Sequence, residues 1–133
     1  MTDNLFTLPD VVPAADVEGS YLFYKYTNAS APASPKQVTL TTGVADVPAG
    51  ISDQPAKAGR LMELHFAGRR QLKIDGVVAR GGQIALSATS GKEGQGTAAG
   101  SSEKVVAIAE EAAVDGQIIW VQLVINHGIV SPS

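Results

Sequence analysis

Glycine recurs at intervals of about five to nine residues through the middle of this 133-residue chain. Because glycine adopts positive φ without steric cost, this spacing lets the chain reverse direction repeatedly. The segments between the glycines have the length of strands and are too short for typical packed helices. We therefore predict an all-β fold, a small β-barrel or β-sandwich with an extended N-terminal arm and possibly one short helix. The glycines stand at Gly43, Gly50, Gly59, Gly68, Gly76, Gly81, Gly82 and Gly91.

Proline and small polar residues predict a division near residue 35. Residues 28–35 (NASAPASP) have the composition of a linker or an exposed loop. We predict an arm over residues 1–35, consisting of an aromatic cluster and this Pro/Ser/Ala linker, followed by a compact β-domain over residues 36–133. A hydrophobic content of 44% is enough for that domain to form a core without disulfides.

The arm holds most of the aromatic side chains. Residues 21–26 (YLFYKY) contain all three tyrosines of the chain, and Phe6 stands upstream. One interpretation is a strand of the barrel with one face buried. The other is an arm that docks on a neighbouring protein, since tyrosine and phenylalanine are favoured anchors at interfaces. The candidate contact residues are Phe6, Tyr21, Phe23, Tyr24 and Tyr26.

Within the body, residues 60–66 and 69–74 are separated by Ala67 and Gly68, which predicts a hairpin. Residues 89–102 (TSGKEGQGTAAGSS) lack large apolar side chains and predict a flexible loop. Residues 104–113 begin as a strand and continue with the composition of a helical turn. Residues 117–125 (QIIWVQLVI) are the strongest strand candidate and are expected at the centre of the core.

Charge and cysteine content exclude several classes of protein. The formal net charge is −3, without the basic surplus of a nucleic-acid-binding protein. Cysteine is absent, which removes disulfides, thiol nucleophiles and thiolate metal ligands. The N-terminus lacks the basic and apolar regions of a secretory signal, and no stretch has the length of a membrane span. We expect a soluble protein that binds neither nucleic acid nor membrane.

Candidate catalytic and cofactor motifs are incomplete. The run GKEGQGT at residues 91–97 places lysine before the glycines, unlike a phosphate-binding loop that opens a helix. His65 and His127 are the only histidines and form no local ligand pair, so each is expected to be an ordinary structural or surface residue. We predict no enzyme activity, no metal, no cofactor and no small-molecule substrate.

Arg69, Arg70, Lys73 and Arg80 form the one concentration of basic residues. Strand alternation places Arg69 and Lys73 on one face and Arg70 on the other. A solvated sheet face is the simpler interpretation, and docking onto an acidic protein surface is the functional one. Arg69, Arg70 and Lys73 are therefore further candidates for protein contact.

Four motifs follow one another along residues 43–125. They are GVADVPAGI at 43–51, AG at 58–59 before a strand, DGVVARGG at 75–82, and the alanine-rich VAIAEEA at 106–112 followed by Asp115-Gly116 and a last hydrophobic strand. This succession resembles the small capsid decoration, or cement, proteins of tailed phages.

The resemblance implies a non-enzymatic β-domain on the outer surface of the virion head, made in the host cytoplasm. Its expected partner is the major capsid protein, whose neighbouring copies it would brace, and the expected oligomer is a homotrimer. The aromatic segment would then be a candidate for pairing with a neighbour through an exposed strand edge. A second hypothesis is a small β-barrel binding module for carbohydrate or another ligand, with Tyr21, Tyr24 or Tyr26 as the exposed aromatics.

Overall fold

Ten short strands build the structure, a computed structural model that describes residues 7–27 and 36–125. Five strands close into a barrel and five form a second sheet. No helix occurs within the described ranges, which confirms the all-β prediction but not the short helix. The barrel strands are β1 (Thr7–Pro13), β2 (Leu22–Tyr26), β3 (Lys36–Leu40), β4 (Gly50–Ser52) and β5 (Met62–His65). The strands of the second sheet are β6 (Gly68–Lys73), β7 (Gln83–Leu86), β8 (Gly96–Ala98), β9 (Ala107–Ala109) and β10 (Ile118–Leu123).

The barrel has the strand order β1-β3-β2-β4-β5, and β1 closes it. β1 pairs in parallel with β3, where Val12 faces Gln37, and antiparallel with β5, where Leu8 faces Leu64. β2 lies between β3 and β4 and is antiparallel to both. The barrel therefore needs strands from both sides of the division that we predicted near residue 35.

The interpretation of the N-terminal segment as an arm is accordingly wrong for residues 7–27. These residues carry two of the five barrel strands, and β2 is paired along both edges. The alternative, that residues 21–26 form a barrel strand, is confirmed. The physical reason is that Val11, Leu22 and Tyr24 supply buried apolar surface that the barrel core requires.

The second sheet has the order β6-β10-β9-β7-β8. β10 lies inside it, antiparallel to β6 and β9, in agreement with the prediction that this strand is central. A parallel bridge between Ile74, just after β6, and Gly96, at the start of β8, brings the two edge strands of the sheet together. We predicted a strand followed by a helical turn over residues 104–113. The structure instead forms the three-residue strand β9 there, without a helical turn.

The predicted hairpin around Ala67 and Gly68 is also wrong. β5 belongs to the barrel and β6 to the second sheet, and the two strands do not pair. Gly68 has a φ of +85°, a left-handed backbone conformation that glycine adopts without strain. The turn therefore carries the chain from one sheet to the other instead of folding it back.

Two clusters of buried side chains fill the interior, and β2 contributes to both. Tyr24 packs inside the barrel with Val11, Val38 and Leu64. Phe23 points to the opposite side, as strand alternation requires, and packs in the core of the second sheet. The aromatic run, for which the sequence left a barrel strand and a docking arm as alternatives, thus joins the two cores.

Backbone hydrogen bonds also link the barrel to the second sheet. Tyr21, which has a φ of +63°, donates its N–H to the Ser52 carbonyl at 2.8 Å and accepts from the Lys73 N–H at 3.0 Å. The N–H of Gly94 donates to the Thr41 carbonyl at 2.9 Å. Residues 89–102 are therefore not a loose loop, because they contain this junction residue and strand β8.

Candidate functional site

The outward face of β6 and β10 is the strongest candidate for a functional surface. Along β10 the side chains alternate between exposed and buried, and Ile118, Trp120 and Gln122 are the exposed ones. They lie opposite Lys73, Gln71 and Arg69 of β6 in the antiparallel register. We call these six residues the β6–β10 face.

Trp120 is the centre of this face, and its side chain is 40% exposed. The guanidinium carbon of Arg69 lies 5.1 Å from the centroid of the Trp120 ring, within the range of a cation–π contact. The backbone N–H of Trp120 donates to Oε2 of Glu111 at 3.0 Å. Glu111 thus holds the backbone of Trp120 and Arg69 packs on its ring, while much of the residue remains open to solvent.

Glu110 fixes the position of Arg69. Arg69 Nε donates to Oε1 and Oε2 of Glu110 at 2.8 and 2.9 Å, and Nη2 lies 2.7 Å from Oε1. This hydrogen bonding, with the charge of Glu110, raises the pKa of Arg69 above its ordinary value. A guanidinium held by a bidentate carboxylate loses little further freedom when a partner docks.

Exposed apolar side chains continue from this face into the neighbouring turns. Val114 lies in the turn that leads into β10, and Val77 stands beside the bridge that pairs Val78 with Ala113. Ile118, Val77 and Val114 are all among the exposed large hydrophobic residues. Several such side chains close together, unlike single ones, are typical of a surface that contacts another protein.

Charged groups lie beside these exposed apolar side chains, close to the start of β10. Lys92 Nζ donates to Asp115 Oδ1 at 2.8 Å and lies 3.5 Å from Asp75 Oδ1. The hydrogen bond from Lys92 lowers the pKa of Asp115, and the charge of Lys73 contributes in the same direction. Hydrogen bonds from Ser87, chiefly, and from Lys92 lower the pKa of Asp75. Asp75, Asp115 and Lys92 are therefore ionised at neutral pH beside the exposed apolar side chains.

The basic residues that we predicted as a contact cluster separate as strand alternation requires. Arg69 and Lys73 lie on the β6–β10 face. Arg70 points to the other side, where its Nη1 donates to Oδ2 of Asp53 at 3.3 Å, across the boundary between the second sheet and the barrel. Arg70 therefore ties the two parts of the molecule together, and whether it also contacts a partner stays a prediction.

Most of the predicted aromatic contact residues are structural in this fold. Phe23 and Tyr24 are fully buried, so neither presents its ring to a partner or a glycan. Burial raises the pKa of Tyr24 to about 12. Tyr21 is half-buried at the junction of the two sheets, and Tyr26 is exposed at the end of β2. Phe6 lies outside the described residues.

Trp120 is not among the site residues predicted from the sequence. Residues 117–125 predict a core strand because almost every residue there is apolar. The available signal was that a strand with one solvent-facing side should carry polar residues at alternate positions, whereas of Ile118, Trp120 and Gln122 only Gln122 is polar. Ile118 and Trp120 break that alternation on the exposed side.

Metal-binding clusters and membrane-spanning helices are absent from the part of the chain that the structure describes. Residues 7–27 and 36–125 contain no group of three or more His, Asp or Glu side chains placed to hold a metal ion. The same ranges contain no helix that could cross a membrane. The arrangement of the β6–β10 face, a fixed indole beside apolar side chains and ionised groups, is suited to docking with another surface.

Comparison of the sequence with protein-family models and with curated proteins finds no match. Comparison of the structure finds a similar fold in the crystal structure of the N base of the head fiber protein gp8.5 of bacteriophage phi29. The TM-score is 0.69, the two chains are 15% identical, and the alignment covers 90% of this chain and 93% of that chain. The resemblance to capsid-associated phage proteins is therefore confirmed at the level of the fold.

Proposed function

We propose that this protein is a structural component of a tailed-phage head, which binds the outer surface of the assembled capsid and stabilises contacts between major capsid proteins. The observation that carries the proposal is the fold shared with a phage head fiber base over nearly the whole length of both chains. The motifs over residues 43–125, which resemble capsid decoration proteins, support it independently of the structure. The function needs no catalytic or cofactor-binding residues.

We assign the docking role to the β6–β10 face. Trp120 is a suitable anchor because tryptophan gives a large contact area with few rotatable bonds, and Arg69 already packs on its ring. Lys73 adds positive charge beside the apolar residues. The complementary surface on the capsid would present an apolar depression next to acidic side chains.

Stabilisation of the head follows from selective binding. A protein that binds the assembled state and not the dissociated subunits shifts the equilibrium toward assembly. When each copy, or each oligomer, contacts more than one capsid subunit, simultaneous contacts raise the overall affinity without any single strong site. A homotrimer, the oligomer implied by the resemblance to decoration proteins, would present three such faces around one axis.

The experiment that tests this function compares two targets. Purified protein is added to heads assembled from the major capsid protein of the same phage, and in parallel to the unassembled capsid protein. We expect saturable co-sedimentation with heads, a higher temperature of head disruption, and little binding to free subunits. Equal binding to both targets, or none to heads, would contradict the proposal.

A further inference from the structure

The barrel carries a second surface feature, away from the β6–β10 face of the other sheet. A cleft of about 280 Å³ lies between β5 and the residues at the end of β4. Asp53, Glu63 and His65 supply polar groups to its lining, and Pro55 and Leu61 supply apolar ones. A volume at the small end of ligand sites suits a single long side chain better than a larger molecule.

The polar part of the cleft is a histidine between two carboxylates. His65 Nε2 lies 3.6 Å from Asp53 Oδ2 and 3.8 Å from Glu63 Oε1. Burial, and next the charge of Arg70, lower the pKa of His65, while Asp53 and Glu63 oppose that shift. At neutral pH the imidazole is therefore uncharged and does not neutralise either carboxylate.

The two carboxylates differ in their other partners. Asp53 accepts a hydrogen bond from Arg70 at 3.3 Å through Oδ2, while its Oδ1 is buried and has no hydrogen-bond partner among the described residues. Within residues 7–27 and 36–125, no lysine or arginine nitrogen lies within 4.0 Å of the Glu63 carboxylate. Among the described residues, the cleft therefore contains one carboxylate, Glu63, whose negative charge no lysine or arginine nitrogen within 4.0 Å compensates.

The remaining wall is apolar and open. Leu61 is 70% exposed although it is a large hydrophobic residue, and Met62, which also lines the cleft, is half-buried. An apolar wall beside carboxylates matches a group with a cationic head on an aliphatic stem. Arginine and lysine side chains have this character, since the stem packs on apolar surface while the head remains polar.

We propose that this cleft binds the side chain of an arginine or lysine that a partner polypeptide presents. The guanidinium or ammonium group contacts Glu63 and Asp53, and the stem lies along Leu61 and Pro55. The inference goes beyond the proposed function, because it concerns a different surface and holds for any partner with an accessible basic residue.

The test is an NMR titration of the isotopically labelled full chain with N-acetyl-arginine amide. The control is N-acetyl-citrulline amide, which has nearly the same shape without the charge. We expect saturable shifts for resonances of His65, Glu63 and Leu61 with a dissociation constant in the roughly millimolar range, as for a lightly screened surface ion pair. The citrulline probe should produce no saturable shift. Equal responses to both probes would overturn the proposal.

Two variants locate the binding. Glu63→Gln should raise the dissociation constant for the arginine probe about threefold or more. Glu103→Gln, which removes the same charge from the segment between β8 and β9, should leave it unchanged. The proposal is wrong if both variants weaken binding equally, or if millimolar Mg²⁺ produces the same shifts and displaces the probe. The titration uses free protein without heads, so its result is independent of whether the chain binds a capsid.

Discussion

The backbone N–H of Phe23 donates to the carbonyl oxygen of Gly94 at 2.7 Å, so strand β2 of the barrel is bonded to the segment that enters β8 of the second sheet. This contact lies beside the bond from the Gly94 N–H to Thr41. Gly94 is therefore inserted between the two parts of the molecule, and the barrel and the second sheet meet through main-chain atoms.

Substitution of Gly94 by alanine should be strongly destabilising. The residue has a φ of +81°, and an added Cβ would lie 2.9 Å from Leu22 Cβ and 3.1 Å from the Phe23 carbonyl oxygen. We expect Gly94→Ala to lower the free energy of unfolding by about 3 kcal/mol or more, through strain and overpacking. Chemical denaturation followed by tryptophan fluorescence measures this change.

Gly91 provides the matched control. It has a φ of +87°, but an added Cβ would meet nothing within 4 Å. Gly91→Ala should therefore show only the backbone penalty, about 1 kcal/mol. Similar losses in the two variants would mean that Gly94 is not a packed junction residue.

Tyr24 offers a test of the barrel core. Its ring is fully buried, and its hydroxyl has no hydrogen-bond partner among the described residues. Tyr24→Phe removes a buried polar atom and keeps the ring, so stability should be unchanged or higher by up to about 1 kcal/mol. A loss of more than that amount in thermal denaturation would show that the hydroxyl makes a stabilising contact.

The decrease in the free energy of unfolding at alkaline pH should depend on Tyr24. Burial raises the pKa of Tyr24 in the folded state from its ordinary value of 10.0 to about 12. Its contribution is fully present below pH 10 and is lost as the pH rises toward 12, because the unfolded chain releases the proton first. The stability of Tyr24→Phe should decline less than that of the wild type over this interval.

Arg69 and Arg70 are adjacent in sequence but should differ in their effect on stability. Arg70 bridges β6 to Asp53 and has a buried Nε, whereas Arg69 is largely exposed on the β6–β10 face. We expect Arg70→Ala to cost about 1 kcal/mol or more, since it leaves Asp53 without its guanidinium partner. Arg69→Ala should leave stability unchanged within error. Urea denaturation of both variants decides this, and a larger loss for Arg69→Ala would contradict the assignment.

The lowered pKa of His65 predicts that the protein becomes less stable in mild acid. Burial holds the pKa of His65 in the folded state below its ordinary value of 6.5, so the unfolded state binds more protons as the pH falls. The free energy of unfolding should therefore decrease from about pH 6.5 downward until the folded-state pKa is passed. His65→Gln should flatten this part of the pH profile. An identical slope in the variant would show that His65 is not responsible.

Local patterns in the sequence were sufficient to predict the short strands, the tight turns and the central place of β10. These local patterns did not predict which distant strands pair with each other. The hairpin expected around Gly68 is wrong because the same positive φ that closes a hairpin also allows the chain to cross between sheets. Nothing local distinguishes these outcomes.

The candidate site shows the same division between local and long-range information. Alternation correctly separated Arg69 and Lys73 from Arg70. The exposure of Trp120 depends on which side of β10 is covered, and that is set by the core residues Phe23 and Leu72 packing against the opposite side. The sequence leaves a barrel strand and a docking arm as alternatives for the aromatic cluster at residues 21–26, and only the fold shows that it lies between two cores.

The binding of wild-type and Trp120→Ala protein to assembled heads tests the central claim most directly. Val47→Ala is the control, since Val47 is an exposed hydrophobic residue of the part of the chain between β3 and β4. We predict that Trp120→Ala weakens binding at least about tenfold with unchanged thermal stability of the free protein, while Val47→Ala binds as the wild type does. Wild-type protein that fails to bind heads, or a Trp120→Ala variant that binds them with full affinity, would contradict the account.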